Sequence, residues 1–335
     1  MKRLALYFAG LLVAGLLLAG LLGLPMVDTD TSETDSQKIR VGLPPDPNAV
    51  PLFILEQRQD DLLPDFELEL VSNPAGDPSA MRAMVQDGRV DFTFFNVIGG
   101  VRFVEGGLKQ LELVAPWVWQ GIYLLTPAES SELEKVDGRQ VFVAPGLSTP
   151  PHVVTERALH ARGIEPKFAS TGAGMALLAQ ALNPQRAPAG IAAPEPLISL
   201  ILHRQEAEDW EQQWSISLDP AKELEDRLGV RVPLGAIWSV GDQANPEQRE
   251  ALMAGLEAAI AWLADPENHE EAAKIASQRF NSFFNMPIPE AALLRMLRSE
   301  RVKWEPADDH ATREAVAAYL REVFDIEPPV GLLSQ

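Results

Sequence analysis

Strand-like and helix-like patterns of apolar residues alternate along this chain, and the same order of elements occurs twice. The first series predicts a strand, a helix, a strand, a helix and a strand, at residues 39–43, 49–57, 66–71, 79–86 and 90–96. The second series predicts the same order of elements at residues 140–144, 151–163, 167–170, 174–182 and 189–193. Short strands that alternate with helices form βαβ units with mostly parallel sheets. The two series therefore predict two similar α/β lobes.

Two longer apolar runs, at residues 113–126 and 230–240, each predict one long strand. Such strands suit a chain that passes from the first lobe to the second and later returns. After residue 241 the pattern becomes helical, with helices predicted at 246–264, 267–280, 289–298 and 309–324.

These elements predict how the chain is divided between the lobes. Residues 38–122 form the first part of lobe 1, and residues 123–232 form lobe 2. Residues 233–335 return to lobe 1 and add the C-terminal helices. The predicted fold class is therefore α/β, with two lobes and a helical C-terminal part.

One N-terminal transmembrane or signal helix is predicted to precede these lobes. Lys2 and Arg3 are followed by an unbroken apolar run at residues 4–27, about 36 Å long as a helix and long enough to cross a bilayer core. The basic residues predict that the N-terminus stays inside and that the remainder is exported. No convincing small-x-small cleavage site follows the run, which favours a retained anchor over a cleaved signal. Residues 28–37 are polar and predict a flexible linker.

Composition narrows the possible partners and chemistry. A net charge of −20 argues against a nucleic-acid partner, because phosphate binding needs clustered Lys and Arg. The same charge argues against electrostatic adhesion to anionic lipids. The chain has no cysteine, which excludes disulfides, thiolate metal sites, cysteine nucleophiles and a lipid-modified cysteine.

No catalytic signature is evident in the sequence. The five histidines are scattered without H-x-x-x-H spacing, and nucleophile elbows, phosphate loops and G-x-G-x-x-G turns are absent. We therefore predict no catalytic residue, no metal and no cofactor. The expected class is a binding protein rather than an enzyme.

Several polar or aromatic residues lie at predicted strand ends, where open α/β sheets bind ligands. Ser148 and Thr149 stand at a helix start that could hold a small anion on backbone N–H groups, or could simply be capped by a hydroxyl. Asn96 ends a strand and could bind a ligand or cap a helix. Glu195, between two prolines, could bind an amine or bias a first helical turn.

The crossing segment carries two tryptophans. Trp117 and Trp119 are predicted to share one strand face, where an aromatic pair can enclose a planar or aliphatic ligand. Packing between the lobes is the other interpretation of this pair.

The segments IRVG (39–42), VDFTFFN (90–96), PWVWQGIYLL (116–125), APGLSTPP (144–151) and APEPLISL (193–200) together resemble substrate-binding proteins of ABC transporters. The closest group is the nitrate, sulfonate, taurine and thiamine-precursor type. The resemblance implies a type II periplasmic-binding-protein fold, closure of two lobes on a small-molecule solute, and docking on an ABC permease. It places the protein on the extracytoplasmic (periplasmic) face of the membrane. By position it implies ligand contacts from Pro45, Asn96, Trp119, Ser148, Thr149 and Glu195.

Two other functions remain open on the sequence. One is a membrane-tethered ligand sensor or scaffold without transport, and the other is a lyase similar to dehydratase-like enzymes of menaquinone biosynthesis, which use the same fold. The candidate contacts include no obvious Arg clamp, which argues against a strongly charged anion; Arg102 and Arg139, which the sequence does not place, could still reach the cleft. The predicted ligand is therefore a small neutral, zwitterionic or heteroaromatic solute.

Overall fold

The structure is a computed structural model that describes residues 37–73, 76–130, 132–172, 174–183 and 187–333. The predicted N-terminal helix at 1–27 lies outside the described residues, as does all of the predicted linker except Gln37, which already belongs to the first strand. Among the described helices, none is both long enough and apolar enough to cross a membrane.

The strands come in chain order as β1 (Gln37–Leu43), β2 (Phe66–Ser72), β3 (Phe92–Asn96), β4 (Leu111–Gln120), β5 (Ile122–Pro127), β6 (Gln140–Val143), β7 (Lys167–Ser170), β8 (Gly190–Pro194), β9 (Trp214–Leu218), β10 (Gly235–Val240) and β11 (Lys303–Trp304). The α-helices are α1 (Ala49–Gln57), α2 (Gln59–Leu62), α3 (Pro78–Gln86), α4 (Val97–Glu105), α5 (Pro150–His160), α6 (Gly174–Ala181), α7 (Leu197–Ala207), α8 (Pro220–Leu228), α9 (Pro246–Leu263), α10 (His269–Phe284), α11 (Glu290–Arg298) and α12 (His310–Phe324).

The strands form two sheets, one in each lobe. The first has the order β11-β4-β10-β3-β1-β2, and the second has the order β7-β6-β8-β5-β9. In the first sheet β1 is parallel to β2 and β3, whereas β10 and β11 are antiparallel to their neighbours. In the second sheet β6 is parallel to β7 and β8, and β5 is antiparallel to β8 and β9. The βαβ prediction for both halves is therefore confirmed.

The core strands are buried because each is apolar on the faces that helices cover. In β1, Ile39, Val41 and Leu43 alternate along the strand and are fully buried. Helix α1 packs against α9 and α10 and is itself apolar on all sides, so that its residues from Ala49 to Leu55 are buried. The C-terminal helices α9 and α10 thus cover the first lobe.

The prediction of one strand at 113–126 is wrong. The run is two strands in different sheets, β4 in the first and β5 in the second, and they are separated by Gly121. Gly121 has a φ of +145°, a conformation that residues with a side chain rarely adopt, and the apolar runs before Gln120 and after Gly121 hid this break in the pattern. The chain crosses from one lobe to the other at this residue.

The prediction of one strand at 230–240 is also wrong in extent, because only β10 pairs with neighbouring strands. Val230 and Val232 are buried, so the pattern is apolar, but Pro233 has no N–H to donate to a ladder. Leu234 N donates to Val118 O at 2.7 Å just before β10 begins. The unpaired part forms the return crossing between the lobes.

Several elements were not predicted, among them α4, α7, α8 and β9. The start of α8 carries ordinary signals, since Asp219 accepts a bond from Lys222 N and Pro220 is the first helical residue. The helices predicted at 246–264, 289–298 and 309–324 are confirmed within one residue at each end, as α9, α11 and α12.

The C-terminal helices also contact the second lobe. Arg295 of α11 donates to Leu202 O of α7 at 3.3 Å and to Glu206 at 2.6 Å. Arg157 of α5 donates to Val323 O at the end of α12 at 3.1 Å. The crossing at Gly121, the return before β10 and these helices therefore all join the two lobes.

Candidate ligand-binding site

The carboxyl ends of parallel strands from both sheets meet beside the first crossing. Gly121 O accepts a hydrogen bond from Glu195 N, just after β8, at 2.7 Å. On the other side, a Cβ placed on Gly121 would lie 3.7 Å from the ring of Pro47, in the loop after β1. Strand ends at such an edge are where α/β sheets bind ligands. The candidate site is the junction of the two lobes at this edge.

One direct contact spans the lobes near this edge. Arg102 Nη1, on α4 of the first lobe, donates to Ser148 O in the loop after β6 of the second lobe, at 3.3 Å. The Arg102 side chain is exposed, and it makes no salt bridge with any carboxylate of the described residues. This arginine, which the sequence could not place, therefore lies where a bound anion could meet both lobes.

Asn96 begins α4 on the first-lobe side of this contact. Its Oδ1 accepts from Gly99 N at 2.7 Å, which is the bond of a helix cap. Its Nδ2 donates to none of the described residues, and the residue is partly exposed. The side chain therefore caps the helix through one atom and keeps its other atom for a further partner.

The loop opposite, at residues 146–149, is held by its own side chains. Ser148 has a φ of 62°, and its N–H donates to His152 Nδ1 at 3.3 Å. Thr149 Oγ1 donates to Gly146 O at 2.6 Å and does not cap the helix. Within the described residues, Ser148 Oγ and the N–H of Thr149 have no hydrogen-bond partner.

The helix start after this loop offers fewer donors than the sequence suggested. Pro150 and Pro151 are the first residues of α5, and neither has an N–H. The N–H groups of His152 and Val153 both donate to Thr149 O, at 3.0 Å. The anion-binding potential of this end therefore rests on the Thr149 N–H, the Ser148 hydroxyl and Arg102, with little from the helix itself.

His152 stands behind the loop. Its ring meets the ring of Phe168 edge-on, with centroids 4.7 Å apart, and its Nε2 lies 3.9 Å from Glu156. Burial lowers the pKa of His152, and the nearby Glu156 opposes this change. A neutral imidazole can accept the Ser148 N–H bond, so the loop conformation depends on His152 being unprotonated.

Glu195 is placed differently from its predicted role. It is fully buried, and its carboxylate accepts bonds from Arg301 Nε at 2.6 Å, Ser199 N at 3.0 Å and Ser199 Oγ at 3.0 Å. Burial raises the pKa of Glu195, whereas Arg301 and the Ser199 bonds act in the opposite direction. The carboxylate already has a cation partner. Arg301 lies 106 residues away, and no spacing in the sequence pointed to it.

Trp119 also has its contacts within the protein. Its Nε1 donates to Glu305 O at 2.8 Å, and the Arg231 guanidinium lies over its ring, 4.1 Å from the centroid. Only 5% of Trp119 is exposed. Trp117 is fully buried, and its ring lies edge-on to Phe94. In this conformation Trp119 therefore packs between the segments that cross the lobes.

Polar side chains on both sides of Gly121 bind neighbouring segments. Gln120, just before Gly121, donates to Asp219 Oδ2 at 2.5 Å, and Asp219 follows β9 of the second sheet and caps α8. Tyr123, just after Gly121, donates through its hydroxyl to Arg301 O at 2.7 Å. Burial is the main cause that raises the pKa of Tyr123. These bonds and the Glu195–Arg301 pair form a polar network beside the first crossing.

The loop after β1 holds an acid that the sequence did not single out. Asp46 Oδ1 accepts from Asn48 N at 2.8 Å and from Asn48 Nδ2 at 2.6 Å. Burial raises the pKa of Asp46 to about 7, and the Asn48 bonds lower it less. Pro45, the predicted contact in this loop, is partly exposed. The described residues contain no group of three or more His, Asp or Glu that could hold a metal ion.

No protein-family model and no curated protein matches the chain in sequence. Solved structures do match in fold. An ABC transporter protein from Parabacteroides distasonis has 13% identity and a TM-score of 0.68, covering 90% of this chain and 99% of that one. The periplasmic aliphatic sulphonate-binding protein of Escherichia coli has 14% identity and a TM-score of 0.64, covering 89% and 91%. The periplasmic nitrate-binding protein of Synechocystis PCC 6803 has 14% identity and a TM-score of 0.62, covering 90% and 85%.

These structures thus match the fold of this chain over most of both chains. At such identities the likeness concerns the fold. This chain has the two-lobed fold of the periplasmic binding proteins of ABC transporters.

Proposed function

We propose that this protein is an extracytoplasmic solute-binding receptor that closes its two lobes around a small molecule and delivers it to the permease of an ABC importer. The observation that carries the proposal is the contact from Arg102 to Ser148 O, because it brings free polar groups of both lobes to one edge. The proteins that share this fold include receptors named for sulphonate and nitrate. The proposed role makes and breaks no covalent bond.

The mechanism is hinge closure. A solute shifts the protein toward the closed form only through contacts that the open form lacks, and therefore it must touch both lobes. The first lobe offers Asn96 Nδ2 and Arg102, and the second offers Ser148 Oγ and the Thr149 N–H. All four are donors. They suit a solute with acceptor oxygens at one end, such as a carboxylate or a sulfonate.

The six predicted contacts divide into two groups in this proposal. Pro45, Asn96, Ser148 and Thr149 line the cleft, together with Arg102. Trp119 and Glu195 hold the hinge, since their polar atoms are engaged by Glu305, Arg301 and Ser199. The boundaries at 38–122, 123–232 and 233–335 remain a prediction. Attachment to the membrane through residues 1–27 is part of the proposal and would keep the receptor beside its permease.

A thermal-shift screen of the purified full-length chain tests solute binding. The panel contains small sulfonates, carboxylates, amino-acid-like solutes and vitamin precursors. Binding to the folded state raises the melting temperature by an amount that grows with the logarithm of the ligand concentration relative to Kd. If no member of the panel raises it, the receptor role loses its support.

Two arginine variants locate the site. Arg102→Ala should weaken binding of the solute found in the screen by about tenfold or more, because a charge-assisted contact is lost. Arg139→Ala is the matched control: it is equally exposed, but it precedes β6 and so lies at the opposite end of that strand. Equal effects of both variants, or none from Arg102→Ala, would show that the cleft is misplaced.

Delivery is tested separately from binding. Deletion of the gene should abolish cellular uptake of the labelled solute, and a copy carrying Arg102→Ala should restore uptake only in part. Binding in the screen together with undiminished uptake would favour the ligand-sensor function instead. Conversion of a bound solute into a product by the purified protein would favour the lyase.

A further inference from the structure

Most carboxylates at the junction of the lobes already have a cation or a cap as partner. Glu195 pairs with Arg301, and Glu305 lies within salt-bridge distance of Arg231 and Lys303. Asp219 caps α8 and accepts from Gln120. Asp46 differs from them, because no Lys, Arg or His of the described residues pairs with its carboxylate.

One oxygen of Asp46 is fixed by a short chain of hydrogen bonds. Trp117 Nε1 donates to Asn48 Oδ1 at 2.5 Å, and Asn48 in turn donates to Asp46 Oδ1. Trp117 and Asn48 are both buried, so the hydrogen bond between them is shielded from solvent. Asp46 Oδ2 accepts no bond from the residues that the structure describes, and Asp46 itself is partly exposed. The carboxylate is therefore oriented and has one oxygen left for a partner.

The loop that carries Asp46 is rigid. Three prolines at 44, 45 and 47 restrict its backbone. Asp46 N donates to Pro44 O and Asp46 O accepts from Ala49 N, each at 3.0 Å. Trp304 Nε1 donates to Pro47 O at 3.2 Å, which ties the loop to the segment around β11. Such a support positions a side chain before a ligand arrives.

A structural role alone does not require the charge of Asp46. An asparagine at this position would still accept the Asn48 bonds through its carbonyl oxygen. With a pKa of about 7, the carboxyl of Asp46 is only about half ionised at neutral pH in the absence of a partner. Acids kept in such surroundings without a cation are typical of functional sites.

We propose that Asp46 binds the protonated nitrogen of a zwitterionic solute whose anionic end contacts Arg102, Ser148 and Thr149. The inference rests on the proposed function and specifies its ligand class. The acid lies in the first lobe, after β1, and the anion-binding donors include groups of the second lobe, after β6. A solute with opposite charges at its two ends would therefore be held by both lobes. A purely anionic solute would lack the first of these contacts.

Two pairs of probes isolate the contribution of the nitrogen. Taurine and ethanesulfonate differ by one ammonium group, and β-alanine and propionate differ in the same way. Isothermal titration of the full-length protein should show that the ammonium-bearing member of at least one pair binds about tenfold or more tightly than its partner. Asp46→Asn should remove this preference, because the amide carries no charge to attract the ammonium.

Matched variants distinguish an effect on binding from an effect on folding. Asp65→Asn makes the same charge change at an exposed residue outside the junction, and it should leave the preference unchanged. Asp46→Ser keeps an acceptor for the loop bonds and serves as a second variant if the asparagine variant misfolds. Loss of the preference in Asp46→Asn or Asp46→Ser, with an unchanged Asp65→Asn, supports the assignment.

Three outcomes would overturn it. They are equal affinity within both pairs, a preference that survives in the Asp46 variants, and failure of all four probes to bind. None of these outcomes by itself removes the receptor role, which falls only if the whole solute panel also fails to raise the melting temperature. The two failures are therefore distinguishable.

Discussion

The Arg301 guanidinium donates to the Glu195 carboxylate at 2.6 Å and thereby joins the end of β8 in one lobe to the segment that leads into β11 in the other. The acid is fully buried, and 13% of the arginine side chain is exposed. Arg301 also donates to Ser199 Oγ at 2.5 Å and accepts the Tyr123 hydroxyl bond through its carbonyl oxygen. One residue of the C-terminal part thus anchors three positions of the second lobe.

Removing Arg301 should destabilise the protein strongly. Arg301→Ala leaves the buried Glu195 without a cation, and the loss of one member of a buried pair costs about 3–5 kcal/mol of the free energy of unfolding. Urea denaturation of the full-length chain measures this cost. The control is Arg298→Ala, whose pair with Glu270 is more than half exposed on both sides and should change the free energy by less than about 1 kcal/mol.

The double variant Glu195→Gln with Arg301→Met should recover part of the loss, because it removes both charges and keeps the volume. If Arg301→Ala unfolds at the same urea concentration as the unmodified chain, the pair does not hold the hinge.

A side chain at residue 121 should destabilise the protein. Its φ of +145° is a conformation that residues with a Cβ rarely adopt, and Gly121→Ala should therefore lower the free energy of unfolding by about 1–3 kcal/mol. Gly146→Ala is the comparison. Gly146 has no positive φ, and its nearest contact for an added Cβ is Ser170 Oγ at an ordinary 3.5 Å. Equal melting temperatures for the two variants would mean that the crossing can relax without the glycine.

Asp46 should limit stability as the pH rises. Its pKa is about 7 in the folded protein and about 3.8 when unfolded, so the folded state binds the proton more tightly. The stability that this proton contributes is complete below pH 3.8 and is lost as the pH rises to about 7. Asp46→Asn should therefore raise the melting temperature at pH 8 and change it little near pH 4. An asparagine variant that is less stable than the unmodified chain at pH 8 would contradict this reasoning.

His152 should limit the stability of the protein as the pH falls, which is the opposite of the effect of Asp46. Its pKa lies below the ordinary 6.5 in the folded protein, so the unfolded chain binds the proton more tightly. The stability that neutral His152 contributes is complete above pH 6.5 and is lost as the pH falls through the folded pKa. His152→Gln should flatten the part of the stability–pH curve below pH 6.5. The measurement is a melting series from pH 4.5 to 8, with His310→Gln as control because His310 is exposed. A variant curve that keeps the slope of the unmodified chain would exclude His152 as its source.

Local patterns were sufficient for the regular elements. The helix predicted at 49–57 and the strand predicted at 167–170 agree with α1 and β7 in both bounds. Each of these elements stays within one lobe along its whole length. The run at 113–126 is equally apolar, but it changes sheet at Gly121, and periodicity does not record which sheet a strand joins.

The site residues also divide into those that local patterns predict and those that depend on the tertiary structure. Asn96, Ser148 and Thr149 were identified because strand ends and helix starts are visible in a sequence, and the structure places them on the two sides of one contact. Asp46 was not among the predicted contacts, although the resemblance implied a ligand contact from Pro45 in the same loop. The unusual property of Asp46 is that no cation of the described residues pairs with its carboxylate, and a sequence does not show which charges lie near a carboxylate.

The sequence by itself determined the two α/β series, the absence of cysteine chemistry and the polar residues at strand ends, because these depend on residue type and on spacings within one element. Only the tertiary structure decided that Glu195 belongs to Arg301, that Trp119 lies under Arg231, and that Arg102 reaches Ser148. Such partners come together through the folding of distant segments. Their choice depends on packing and desolvation across the whole chain, which no local pattern contains.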